Sequence, residues 1–235
     1  MSGWAAKRFW KTAEVVQTDA GYTVHLDGRA VKTPAKNPLL LPTRTLADLI
    51  AAEWDAQTGK INPETMPMTR YANSALEKVA PNRAAVIAEL AGYGASDLLC
   101  YRAQSPAELA ARQAAGWQPW LDWAARDLSA PLRVTAGIVH VDQPAGSKAA
   151  LHQYVMQFDN FGLAGLHDLV AISGSLVLAL AMANGLLSAE QGFSLSRIDE
   201  AYQAELWGVD DDAARLESAK ATALASALSF LNACK

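Results

Sequence analysis

The hydrophobic pattern of this chain changes period near Thr43, and that change constrains the fold more than any single motif. Before it, Glu14-Val15-Val16-Gln17 and Tyr22-Thr23-Val24-His25-Leu26 are rich in β-formers and are separated by the turn signal Asp19-Ala20-Gly21. Asp27-Gly28 stands between Val24-His25-Leu26 and Arg29-Ala30-Val31-Lys32, a dipeptide that supplies positive φ to a two-residue hairpin turn. Leu39-Leu40-Leu41, bracketed by Pro38 and Pro42, suits an edge or terminal strand. From Thr43 onward Leu46, Leu49, Ile50 and Trp54 recur at helical spacing, with Thr43 or Thr45 as cap and Gly59 as stop.

Helix dominates thereafter, in keeping with alanine at about one residue in five. Met66-Pro67-Met68 opens a helix to about Val79, Pro81-Asn82 restarts one through Leu90, and further helices are expected near 147–158, 162–187, 188–207 and 211–232. Leu98-Leu99-Cys100-Tyr101 reads as a short buried strand or as helix, and residues 132–135 and 138–141 as extended segments. The expected class is α+β: a small N-terminal β-rich domain over residues 1–42, then a larger, mainly helical domain over residues 43–235.

Composition removes several functions. The 235 residues are 51% hydrophobic and carry a net charge of −4, so the chain should fold as a globular protein with little general attraction to nucleic acid or anionic lipid. The run from Leu169 to Gly185 is short for a bilayer span and contains Ser173, Ser175 and Asn184, which reads as a buried core helix; an integral membrane protein is not expected. The start, Met1 to Trp10, has no secretory core or transit pattern, pointing to the cytoplasm. Cys100 and Cys234 lack metal-ligand spacing.

Catalytic patterns are equally sparse. There is no Walker loop, Gly92-Tyr93-Gly94 does not complete a dinucleotide fingerprint, and Ser173-Gly174-Ser175 does not complete a nucleophile elbow. Within an apolar helical run, those small residues would permit close packing. His25, His140, His152 and His167 are scattered, so no metal, cofactor or catalytic residue is assigned. Asp210-Asp211-Asp212 reads as the start of a helix, where carboxylates cap free amides.

Two helices break the pattern expected of a simple core face. On the first, Glu53 joins Leu46, Leu49 and Ile50 with Trp54 at the edge; it reads either as a buried carboxylate paired with Arg70 or Arg102, or as part of a contact surface. On the second, Leu195, Ile198, Tyr202 and Leu206 form a stripe with Asp199 and Glu205 on its shoulders, followed by Trp207 and the terminator Gly208. These acids read as the rim of an apolar contact or as solvated charges on an amphipathic helix.

Several segments, in order, resemble the assembly-chaperone family for the α-subunit of F-type ATP synthase, the Atp-twelve family. They are Arg8-Phe9-Trp10-Lys11, residues 22–34 (YTVHLDGRAVKTP), residues 46–57 (LADLIAAEWDAQ), Met66-Pro67-Met68-Thr69, Asp97-Leu98-Leu99-Cys100-Tyr101-Arg102, Ser173-Gly174-Ser175-Leu176 and Glu205-Leu206-Trp207-Gly208. The resemblance implies a non-enzymatic chaperone that binds the unassembled α-subunit and shields its interface until the β-subunit replaces it. Glu205, Asp199, Trp207, Glu53, Trp54 and Tyr202 are the expected partner-binding residues. The expected location is the bacterial cytoplasm, or the mitochondrial matrix for a mature organellar chain. Tyr71 and Ser74-Ala75-Leu76-Glu77 depart from the family pattern, leaving a binding role for Glu77 unsupported. Two other readings of the residues are an enzyme with an unfamiliar acidic site, using Asp199, Glu205 and His167, and a general holdase for many apolar clients.

Overall fold

A computed structural model describes residues 7–235. The reading of the first six residues as free of a targeting pattern lies outside the described residues. The chain forms an α+β fold, with a small antiparallel sheet near the N-terminus followed by helices. Its contacts divide it into two compact units: the described part of Met1–Asn82 with Asn160–Gly165 and Ser229–Lys235, and Arg83–Asp159 with Leu166–Leu228.

In the first unit, β1 (Ala13–Thr18), β2 (Gly21–Leu26) and β3 (Arg29–Ala30) form a meander in which Val15 faces Val24 and His25 faces Ala30. Asp27 (φ 47°) and Gly28 (φ 78°) both occupy the left-handed region that a tight hairpin requires. The Asp27 carboxylate also accepts hydrogen bonds from the amides of Lys11 and Thr12. Leu39-Leu40-Leu41 does not form the expected strand. Isolated bridges, Lys32 to Pro38 and Tyr22 to Leu41, hold the segment, because the flanking prolines supply no amide for a ladder; Leu39 and Leu41 are still buried.

Helix α1 (Arg44–Asp55) starts at Thr43, whose Oγ1 accepts from the Leu46 amide and donates to the Ala233 carbonyl. Its buried face is Leu46, Ala47, Ile50 and Ala51, with Leu49 left at the surface. Helix α2 (Pro67–Ser74) opens on Pro67 and runs into a π-helical turn at Ala75–Val79. Tyr71 and Phe161 both pack on the buried Phe230 ring, at centroid distances of 5.0 and 6.3 Å.

The second unit contains α3 (Arg83–Gly92), α4 (Ala107–Asp127), α5 (Ala145–Met156), most of α6 (Asn160–Ser173), α7 (Leu176–Ala183), α8 (Ala189–Ser196), α9 (Ile198–Trp207) and most of α10 (Asp211–Ala233). All eight residues of α7 are buried, so this helix is apolar on every face. No helix among the described residues is long and apolar enough to cross a membrane.

Three expected elements are cut differently. The helix expected over 162–187 is two, because Gly174 adopts φ 70° and Ser175 caps α7 by accepting from the Leu178 amide at 3.0 Å. Ser173-Gly174-Ser175 is therefore a helix junction, not a packing stripe inside one helix. The helix expected over 188–207 breaks at Arg197, whose guanidinium donates to the Ile172 carbonyl at 2.6 Å and pairs with Glu200 and Glu217. Leu98–Cys100 is a 3-10 turn, and strand structure is confined to β4 (Tyr101–Arg102), paired in parallel with β5 (Thr135–Ala136). Asp97 organises this region: fully buried, it accepts from the amides of Leu99 (3.1 Å) and Val177 (3.0 Å), tying the 3-10 turn to the start of α7.

Candidate functional site

Helix α9 ends because Gly208 takes φ 80° while its amide still bonds the Ala204 carbonyl. Helix α10 begins almost at once, with the Asp210 carboxylate accepting from the amides of Asp212 and Ala213 at 2.8 and 2.9 Å. The end of α9, the turn and the start of α10 carry large apolar side chains that the core does not take up. Leu206, Trp207, Val209 and Leu216 are 57, 78, 60 and 58% exposed. A groove of about 470 Å³ runs along this corner, with Phe193, Ala204, Trp207 and Leu216 among its apolar walls. Its charged lining is Glu200, Asp210 and Glu217 against Arg197, so three carboxylates meet one cation.

Asp199, Tyr202 and Glu205 gather on the side of α9 that meets α4. Arg112 Nη1 lies 2.8 Å from both Glu205 oxygens and its Nη2 reaches Glu108, while the guanidinium sits 5.1 Å from the Tyr202 ring centroid. The hydrogen bonds from Arg112 hold the Glu205 carboxyl below its ordinary pKa. Asp199 accepts from Gln113 Nε2 at 2.6 Å, and the buried Gln113 also accepts from the Ala103 amide through its side chain and from Arg102 through its carbonyl. Tyr202 is buried, whereas Trp207 stands clear. Because the break at Arg197 interrupts the helix, the stripe from Leu195 to Leu206 is not one continuous face.

Glu53 and Trp54 belong to the other unit. Glu53 accepts from the amides of Met68 (2.6 Å) and Thr69 (2.8 Å) and from the Thr69 hydroxyl (2.7 Å), so it caps the start of α2. Burial pushes its carboxyl above the ordinary value, against the pull of those donors and the smaller effect of the Arg70 charge. Backbone amides thus take the place expected for an arginine partner, and Arg102 is engaged with Gln113 and Trp117 instead. The half-buried Trp54 meets Trp10 edge-on at 5.3 Å and lines a separate cleft, described below.

His167 contacts Asp168 and Glu89, while the partners of Asp199 and Glu205 are Gln113 and Arg112; the three groups suggested for an acidic active site do not make one hydrogen-bonded constellation. Among the described residues no group of three His, Cys, Asp or Glu side chains is placed to hold a metal ion. Val209 and Leu216 escaped the sequence reading. The available signal was an apolar residue directly after a helix-stopping glycine, together with the one large apolar side chain in the first turns of the next helix.

Residues 7–125 match the sequence profile of the ATP12 chaperone protein family. The chain belongs to this family. It is 46% identical to Atp12 from Paracoccus denitrificans, whose crystal structure matches over 98% of this chain and 99% of that one with a TM-score of 0.95. The Atu1473 protein of Agrobacterium tumefaciens is 40% identical, with coverage of 97% and 86% and a TM-score of 0.94. The mitochondrial protein atp12 of Schizosaccharomyces pombe is 23% identical over 224 residues, covering 90% of this chain and 77% of that protein. The α9–α10 groove lies C-terminal to the profile match, so likeness to the family there rests on the whole-chain relatives.

Proposed function

We propose that this protein is an assembly chaperone of the F-type ATP synthase that binds the unassembled α-subunit and covers the surface later buried against the β-subunit. The observation that carries this reading is the exposed apolar corner of Leu206, Trp207, Val209 and Leu216 beside an acid-lined groove, in a chain of a chaperone family. A free subunit of an alternating ring presents apolar area that promotes aggregation, and a groove of this kind can cover part of it. Trp207 supplies the apolar anchor, Tyr202 and Arg112 support the α9 face, and Glu205 and Asp199 set orientation toward basic or amide groups on the client. Glu53 and Trp54 belong to the other unit and are not assigned to this surface.

The protein works by binding and release, without cofactor or turnover, in the bacterial cytoplasm or in a mitochondrial matrix. Handover sets the affinity window: a dissociation constant between about 1 nM and 1 μM outcompetes self-association without trapping the client. The test is co-expression with the α- and β-subunits followed by pull-down. Free α-subunit should be retained and assembled αβ complex should not. Trp207→Ala should weaken capture about tenfold or more at unchanged melting temperature, and Glu205→Lys should weaken it as well. Failure to retain α-subunit would overturn the proposal. Equal retention of unrelated unfolded proteins would replace it with a general holdase, and substrate turnover abolished by Glu205→Gln would replace it with an enzyme.

A further inference from the structure

We propose that the cleft beside Trp54 is a second recognition site, which takes an acidic peptide segment bearing an apolar anchor residue. The cleft encloses about 470 Å³, and Trp54, Ile61, Pro63 and Met66 supply apolar lining. That volume accommodates one large side chain with the backbone on either side of it. Its charged lining is Lys32, Arg70 and Lys78 against Glu77, three cations to one carboxylate, in a chain whose net charge is −4.

Nearby acids do not neutralise this rim. Glu77 accepts from the Ala35 amide at 2.7 Å, and its carboxyl is held low chiefly by the Thr33 hydroxyl and that amide, with the charge of Lys78 the smallest of the causes. Glu53 spends its oxygens on Met68 and Thr69 and reaches Arg70 only through its field. Lys32, Arg70 and Lys78 are all exposed, and none closes a salt bridge among the described residues. Cations at the mouth of an apolar cleft favour a ligand that combines carboxylates with a buried aromatic or branched side chain.

The α9–α10 groove has the same volume and the opposite balance, three carboxylates to one cation. In the groove Arg197 pairs with Glu200 and Glu217, and Lys220 with Glu217, so it offers an acidic segment no free cation, whereas the cleft beside Trp54 does. This inference goes beyond client capture at Trp207, and its test uses no ATP synthase subunit, so either proposal can fail while the other stands.

The probe is a fluorescein-labelled octapeptide of repeating Glu-Leu-Asp-Phe, titrated with the full chain by fluorescence anisotropy. A version with Lys and Arg replacing its acids serves as control. The acidic peptide should bind with a dissociation constant of about 1–100 μM, weakening with added salt, and the basic peptide should not compete. Lys32→Glu with Lys78→Glu should weaken binding about tenfold or more, while Trp207→Ala leaves it unchanged. Should the charge-reversed protein melt lower, Lys32→Gln with Lys78→Gln gives the same readout at smaller amplitude. Undiminished binding by the charge-reversed or neutralised protein, or equal binding of the basic peptide, would overturn the inference. Displacement of the peptide by an equal concentration of ATP would assign the cleft to a nucleotide and overturn it too.

Discussion

Mild acidification is expected to stabilise this protein through one residue, Asp97, against the usual acid trend. The carboxyl is fully buried, and loss of hydration pushes its pKa from 3.8 to about 6 even though Val177, Ser175, Leu99 and Leu176 donate toward it. The folded chain therefore binds a proton in a window, about pH 4 to 6, where the unfolded chain has released it. With the folded value above the unfolded one, the contribution to stability is full below about pH 4, declines as pH rises through 6, and is level above. At about 1.4 kcal/mol per unit, the gap between 3.8 and about 6 amounts to about 3 kcal/mol. Asp97→Asn removes the titration and keeps a similar shape. Urea unfolding of both proteins across pH should show wild type gaining on the variant by up to about 3 kcal/mol between about pH 7 and pH 4. Taking the difference cancels titrations common to both proteins, including Glu53 and His167, whose folded pKa values are also raised. A difference flat to within about 0.5 kcal/mol, or wild type losing ground in acid, would refute the dominance of burial over hydrogen bonding at Asp97.

Two other substitutions test local construction. Glu53→Ala leaves the buried amides of Met68 and Thr69 without their acceptor and should cost about 2 kcal/mol in urea unfolding, with Glu53→Gln falling between it and wild type. Gly192→Ala places a Cβ against Met182, on its Sδ and 2.9 Å from its Cγ, and should cost about 1–3 kcal/mol in thermal unfolding; Met182→Ala in that background should be cheaper than Met182→Ala alone.

Local chemistry explains which elements were legible in the sequence. Asp27-Gly28, Thr43 and Asp210 each encode a turn or cap within a few residues of themselves, and each does so in the structure. The junctions at Gly174 and Arg197 were not legible because their partners are remote: Asp97 reaches Val177 across 80 positions, and Arg197 reaches Ile172 across 25. An uninterrupted apolar run such as 176–183 looks the same whether it is one helix or the second of two. Periodicity likewise drew attention to Tyr202, Glu205 and Asp199, but it stops at Gly208, so Val209 and Leu216 fell outside the pattern. Glu53 was legible as an anomaly only. Its task depends on where α2 starts, and the cations around Trp54 come from segments separated by as many as 46 positions, Lys32 to Lys78.

An exposed tryptophan among leucines and valine invites self-association, and the charges around it oppose that outcome. Glu200, Asp210 and Glu217 line the groove, and Asp211, Asp212 and Glu205 lie close in sequence to its apolar residues. Two copies of this surface would bring like charges together as their apolar faces met, whereas a basic-rimmed client would replace that repulsion with attraction. On the proposed function, one arrangement thus both keeps the free chaperone apart and selects its client. It also assists release, because exposed carboxylates are screened by salt and contribute to the rate and orientation of encounter more than to the strength of the complex. Apolar contact around Trp207 is then the main source of affinity, and a subunit that buries a larger area of the same client surface can displace it.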